Sequence, residues 1–235
     1  MKFTLIMPVL NELESMKIIM PQIKREWVDQ IIIVDGRSTD GTAEWAREQG
    51  YFVHVQAKPG IRQAYNEVLR FIEGDYVITF SPDGNCIPED LPKLIAKVKE
   101  GDYDMVIASR YFEGAKSEDD DPITTFGNWL FTATVNLLFG ANYTDAMVIY
   151  RAYRTKMIYE LELDRDKWYR TPETLFFTRL SWEPMLSARA AKRGYKIGEI
   201  LGFEPKRIAG ERKLQIIRWG LGYYFQFLRD WLFWR

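Results

Sequence analysis

The chain has a single cysteine, Cys86, and a single histidine, His54, among 235 residues. A disulfide framework and a Cys/His zinc cluster are therefore excluded. Little room is left for Ser-His-Asp or Cys-His chemistry. His54 sits in Phe-Val-His-Val, which reads as a strand, so it is expected to be structural. No uncharged apolar run reaches 18 residues, and no transmembrane helix is expected. The first apolar run is short and is followed by acidic sequence, unlike a secretory leader. The expected location is cytoplasmic, with peripheral attachment at the inner face of a membrane. A net charge of −1 gives no footprint for nucleic acid. There is no Gly-x-Gly-x-x-Gly after the first strand and no Gly-Lys-Ser/Thr phosphate loop, which argues against dinucleotide and P-loop sites.

What the sequence does contain is alternation. Phe3–Val9, Ile31–Val34, Tyr51–Val55, Tyr76–Phe80 and Met105–Ala108 are short apolar runs separated by helical patterns. That order predicts an α/β fold with a mostly parallel sheet flanked by helices. Pro21 should kink or restart the first helix. The second half is less regular. Glu118–Asp121 reads as a solvated acidic loop, Phe126–Phe139 as an apolar helix, Val148–Tyr150 as a strand and Glu173–Arg193 as a helix broken at Pro184. Tyr195–Ile200 reads as the last strand and Lys213–Trp234 as the final helix.

In parallel sheets ligands gather at the carboxyl ends of the strands, and each of the five runs ends in polar groups. The first is followed by Asn11-Glu12, the second by Asp35-Gly36-Arg37-Ser38-Thr39-Asp40-Gly41-Thr42 and the third by Lys58 to Asn66. The fourth is followed by Ser81-Pro82-Asp83-Gly84-Asn85 and the fifth by Ser109-Arg110. Alone, Asp35-Gly36 and Asp83-Gly84 are ordinary turn dipeptides; five such ends in order suggest a binding face. An acid after the second strand suits a base or ribose. Asp83 and Asn85 offer hard oxygens suited to Mg²⁺ or Mn²⁺ shared with phosphate, and Arg110 could neutralise negative charge nearby.

These residues resemble the family 2 glycosyltransferases with a GT-A (Rossmann-like) fold, and within them the polyprenol-phosphate, dolichol-phosphate mannose synthase-like branch. The likeness is carried by Pro8-x-x-Asn11-Glu12, by Val34-Asp35-Gly36-x-Ser38-Thr39-Asp40-Gly41-Thr42, by Gly60…Ala64-x-Asn66, by Ser109-Arg110 and by Arg207-x-x-Gly210-Glu211-x-Lys213-Leu214. It implies inverting transfer of a sugar from a GDP- or UDP-sugar to a polyprenyl-phosphate or saccharide acceptor, with Mg²⁺ or Mn²⁺. Pro8, Asn11, Glu12 and Asp35 would hold the nucleoside. Ser81, Pro82, Asp83 and Asn85 align with the family's Asp-x-Asp-x-Gln metal motif, with Ser81 in place of the first aspartate. Asp83 and Asn85 would bind the metal, and Arg110, Arg207 and Lys213 would face the diphosphate or the acceptor phosphate. A lipid phosphate needs no base; for a saccharide, Asp145 or Glu183 would serve. The alternative reading is an inactive nucleotide-sugar-binding or membrane scaffold, for which Ser81 is the best support. A sugar-nucleotide-synthesising enzyme would carry a Gly-rich basic loop after the first strand.

The expected division is a catalytic domain over 1–212 and a C-terminal amphipathic helix over 213–235, interfacial or oligomeric. Leu214, Ile217, Leu221, Tyr224, Leu228 and Trp231 form its apolar stripe; Gln215, Arg218, Gln226 and Arg229 form a narrow polar one. Aromatic and arginine side chains suit a bilayer interface. A homo-oligomer through the stripe and packing onto the same chain are the other expectations.

Overall fold

The computed structural model describes residues 1–209 and 216–235. Lys213, with Leu214 and Gln215 of the expected stripes, lies outside the described residues. β1 (Phe3–Val9) and β2 (Gln30–Asp35) are nearly continuous apolar runs and lie buried in mid-sheet, as parallel strands covered on both faces require. β3 (Phe52–Val55) pairs with β2, and β4 (Tyr76–Thr79) pairs with β1 on its other side, all parallel. The helices between them are α1 (Leu13–Ile19), α2 (Thr42–Glu48) and α3 (Ile61–Val68). As the position of Pro21 predicts, α1 stops at Ile19 and gives way to a 3₁₀ turn, Met20–Gln22. His54 sits on β3 and meets Glu67 of α3, Nε2 to Oε2 at 3.0 Å, in the structural role expected of it.

After α4 (Asp90–Gly101), β5 (Met105–Ser109) leads through α5 (Pro122–Phe139) to β6 (Arg151–Arg154). β6 runs antiparallel between β4 and β5, and β7 (Ile197–Leu201) lies parallel to β5. Among the described residues the order is β3-β2-β1-β4-β6-β5-β7. The sheet expected to be mostly parallel is so, with one reversed strand. That strand lies three residues beyond the expected Val148–Tyr150. Its first residue, Arg151, is fully buried and bonded to Val148 and Ser187, and so does not read as a core position. The reversal matters. Arg151 pairs opposite Thr79 at the end of β4, so the segment entering β6 arrives at the same edge as the carboxyl ends of β1, β4 and β5.

α6 (Lys156–Glu160) follows β6. Where one broken helix was expected over 173–193, there are two, α7 (Lys167–Phe176) and α8 (Glu183–Lys192). The break falls at Phe177, whose φ of 49° ends α7 in the left-handed region. Pro184 lies in the first turn of α8, where its missing N–H costs nothing. The acidic run is a loop that is solvated only in part: Glu118 and Asp121 are exposed and Asp120 is not. Asp121 caps α5, accepting from the backbone N–H groups of Ile123 and Thr124 at 2.9 and 2.8 Å. Asp120 folds inward, where its carboxylate accepts from Tyr111 and Asn128.

α9 (Ile216–Phe233) packs on α5, α7 and α8. Its orientation leaves the expected apolar stripe facing outward and turns part of the expected polar face inward. Tyr223, Gln226, Phe227 and Asp230, with Trp234 just beyond, face inward and are buried. Ile217, at 77% exposure, and Leu221, Leu228 and Trp231 point away from the protein. The polar face is therefore in part the inner one, anchored by a fully buried Arg189–Asp230 ion pair. Lys192 adds hydrogen bonds to the Asp230 and Trp231 carbonyls at 2.7 and 2.8 Å. Among the described residues no helix is long and apolar enough to cross a membrane.

Candidate active site

The first two strand ends are stitched to each other. Asn11, with φ 56°, donates its N–H to Ser38 Oγ at 2.8 Å, and its side-chain oxygen accepts from the N–H of Thr39 at 2.8 Å. Glu12 is buried; its N–H reaches Thr42 Oγ1 and its carboxylate accepts from Ser15. Asp35 is buried and accepts from the backbone of Arg37 at 3.0 Å and of Ser38 at 3.1 Å. Its carboxylate thus shapes the Asp-Gly turn. A carboxylate has about four acceptor positions, so capacity remains for a ligand. Burial would raise the Asp40 carboxyl, but hydrogen bonds from Thr42 and Leu13 outweigh it and hold the group below its usual range. Gly36 fits closely here: a Cβ would lie 3.1 Å from the Val9 carbonyl oxygen, a tight contact. Pro8, half-buried on β1 opposite Val34, borders this crevice. Pro8, Asn11, Glu12 and Asp35 lie at the carboxyl ends of β1 and β2, next to the β1–β4 step at which the strand order reverses, the usual place for a nucleotide in such a sheet.

The fourth strand end carries the Ser81–Asn85 segment, where a metal is expected. Asp83 is buried, and its Oδ2 lies 3.0 Å from Arg207 Nη1. Its Oδ1 accepts from the Asn85 backbone at 3.1 Å, and Asn85 donates Nδ2–H to the Pro205 carbonyl at 2.9 Å. Ser81 and Pro82 lead into this turn from β4. Among the described residues no group of three or more acids, histidines or cysteines is placed to hold a metal by itself. Asp83 and Asn85 nevertheless fit one. They are hard oxygen donors, and the buried carboxylate already carries a positive charge, the Arg207 guanidinium. Two protein donors leave the other positions to phosphate and water, the usual arrangement for Mg²⁺.

Arg110 follows β5 and is largely buried. It makes a two-point contact with Asp145, Nε to Oδ2 at 2.6 Å and Nη2 to Oδ1 at 3.1 Å, and lies 3.4 Å from Glu204. Burial would raise the Asp145 carboxyl, but the Arg110 charge and its hydrogen bonds outweigh that and hold it below its usual range. Asp145 also accepts from the N–H groups of Met147 and Val148. It is placed to hold Arg110. Glu183, the first residue of α8, is buried and accepts from Tyr65 Oη at 2.8 Å.

Asn85, Arg110 and Arg207 share a cavity of about 370 Å³. It runs between α5 and α9 and is lined there by Ile123, Phe131, Trp219 and Tyr223, with Asp120 and Glu204 near the arginines. Neither Asp145 nor Glu183 is on its wall. Three of these features escaped the sequence. Glu204 has no motif around it. It is brought in by a bridge to Ser117, and burial pushes its carboxyl up, against the lowering charge of Arg110. Asp120 was hidden in an acidic run. The α9 side chains belonged to an apparent tail.

A mostly parallel α/β sheet with its polar loops and acids at one edge defines a GT-A-like nucleotide-sugar fold. Solved structures of glucosyl-3-phosphoglycerate synthase from Mycobacterium tuberculosis share it. The form holding Mn²⁺, uridine diphosphate and glucosyl-3-phosphoglycerate superposes with a TM-score of 0.64 over 98% of this chain and 79% of that one, at 19% identity. The family model for "Glycosyl transferase family 2" matches residues 4–162, and the chain belongs to that family. It is a glycosyltransferase that draws on a nucleotide sugar. It is 28% identical to an undecaprenyl-phosphate mannosyltransferase of Micrococcus luteus, across 97% of this chain and 98% of that protein. It is 30% identical to a dolichyl-phosphate hexose transferase of Haloferax volcanii, across 89% and 85%.

Proposed function

We propose that this enzyme transfers a hexosyl group, with inversion, from a GDP- or UDP-sugar to a polyprenyl phosphate at a membrane surface, with Mg²⁺ or Mn²⁺ bound at Asp83 and Asn85. The observation that carries the acceptor reading is the cavity between α5 and α9. It joins Asn85, Arg110 and Arg207 to an apolar passage between two helices whose outward faces are themselves apolar. Ile123, Phe126, Trp129 and Leu137 of α5 are exposed beside the outward stripe of α9. The two relatives act, by their names, on undecaprenyl- and dolichyl-phosphate carriers.

The metal would supply positive charge to the diphosphate as it leaves. Pro8, Asn11, Glu12 and Asp35 would orient the nucleoside, and Ser81, Pro82 and Arg110 would border the sugar and its phosphates. Arg207, with Lys213 from outside the described residues, would add charge at the diphosphate or acceptor phosphate. A phosphomonoester has a second pKa of about 6 and is ionised at neutral pH, so it attacks without a protein base. That agrees with Asp145 and Glu183 standing off the cavity wall, Asp145 positioning Arg110 and Glu183 tying α8 to α3 through Tyr65. Transfer assays with GDP- and UDP-sugars test this reading. Sugar should appear on undecaprenyl or dolichyl phosphate in detergent or liposomes; transfer to free saccharides alone would overturn the lipid acceptor.

The outward stripe gives the membrane part its own check. Deleting the tail would be a poor test, because α9 is anchored by a buried ion pair. Leu221→Glu with Leu228→Glu changes only exposed side chains. The double variant is expected to lose most of its sedimentation with anionic liposomes while keeping its melting temperature. Undiminished sedimentation would remove α9 from the interface.

A further inference from the structure

The Pro205–Ile208 segment is fastened onto the metal motif at four points. Arg207 Nη1 lies 3.0 Å from Asp83 Oδ2, and the N–H of Ile208 donates to the Asp83 carbonyl at 2.9 Å. Asn85 Nδ2 donates to the Pro205 carbonyl at 2.9 Å. Gly84, with φ 99°, permits the approach: a Cβ there would come within 2.6 Å of Ile208 Cγ1 and 3.1 Å of its nitrogen. Both side chains assigned to the metal are thus engaged by one short segment, and one of them by a cation.

The geometry points to a cation exchange at Asp83, in which Arg207 is the resident counter-charge and a divalent metal displaces it. The inference rests on the metal assignment at Asp83 and Asn85 and adds a regulatory step to it. A metal at about 2.1 Å from Asp83 Oδ2 would take the position that the guanidinium now faces, and two cations repel at that range. Arg207 would therefore give up its contact with Asp83 on metal binding. With its ion pair broken, the segment is held to the turn by the two backbone-carbonyl hydrogen bonds and the packing at Gly84. Arg207 is then free to turn toward the diphosphate that arrives with the metal. Because Arg207 and Asn85 also line the cavity between α5 and α9, the same exchange alters the acceptor's passage. Ser81 fits this scheme. With one carboxylate at the motif instead of the family's two, a single guanidinium suffices to balance the charge before donor binds.

The test is Mn²⁺ binding to the full chain without nucleotide, read by the paramagnetic signal of free Mn²⁺. Arg207→Gln should bind Mn²⁺ about tenfold more tightly than the parent, the scale of one charge-assisted hydrogen bond. Arg207→Lys, which keeps the charge, should stay near the parent. In the unaltered protein, Mn²⁺ should speed tryptic cleavage after Lys206 and Arg207. Unchanged affinity in Arg207→Gln, or a cleavage rate that Mn²⁺ leaves untouched, overturns the exchange. Asp83→Asn separates the two layers: if it binds Mn²⁺ as the parent does, the metal assignment itself fails, whatever Arg207 does.

Discussion

Asp83→Ala is expected to lower turnover by about a hundredfold to a thousandfold, the range for removing one preorganised electrostatic group at a developing anion. The reason is position. Asp83 is buried at the carboxyl end of β4, its backbone carbonyl is tied to Ile208 and its carboxylate carries the motif's only acid charge. With Ser81 in the place of a second acid, no neighbouring carboxylate of the motif can substitute. The fold should survive, because β4 is held by Thr79, Ile78 and Val77 in its ladders with β1 and β6, upstream of Asp83. The measurement is turnover with GDP- and UDP-sugars at saturating Mn²⁺, alongside far-ultraviolet circular dichroism. A folded variant with near-normal turnover would sink the metal assignment, and with it the exchange at Arg207.

Much of the sheet was legible because buried parallel strands are written as unbroken apolar runs. Phe3–Val9 was placed to the residue; β2 is one residue longer at each end than expected, and β3, β4 and β5 each differ by one residue at one end. The strand-end loops were legible for the same reason, since a parallel sheet puts its carboxyl ends on one side. What pattern could not supply was long-range closure. Arg110 meets Glu204 across 94 residues, and Ser117 meets it across 87. Nothing local marks either contact. β6 was misplaced because its first residue is an arginine, and a buried arginine satisfied by carbonyls and a serine hydroxyl reads as exposed. The facing of α9 was hidden by the same kind of side chain. Hydrophobicity alone left the stripe open between an interface, an oligomer and the same chain, and Asp230 is inside because Arg189 is there to meet it.

That pair supports the largest stability effect expected of any single change. Arg189 and Asp230 are both fully buried. The Arg189 guanidinium also donates to the Leu161 carbonyl at 2.6 Å and stacks on the rings of Trp168 and Trp234, at 5.1 and 4.9 Å. Removing one partner of such a pair leaves the other charged and desolvated, which costs about 3–5 kcal/mol. Asp230→Ala should therefore lower the unfolding free energy by about that amount, read from urea denaturation followed by tryptophan fluorescence. Replacing both partners with apolar residues, Arg189→Met with Asp230→Leu, should recover most of the loss, because the desolvation penalty leaves with the charges. The single variant also carries a functional consequence. α9 supplies Trp219 and Tyr223 to the cavity wall, so an unpaired Arg189 should impair transfer to lipid phosphate through loss of α9 docking. The apolar pair should restore transfer together with stability. A drop in stability below about 1 kcal/mol in Asp230→Ala would mean that the pair is solvated in the native protein and that α9 is held by its other contacts, the Lys192 hydrogen bonds among them.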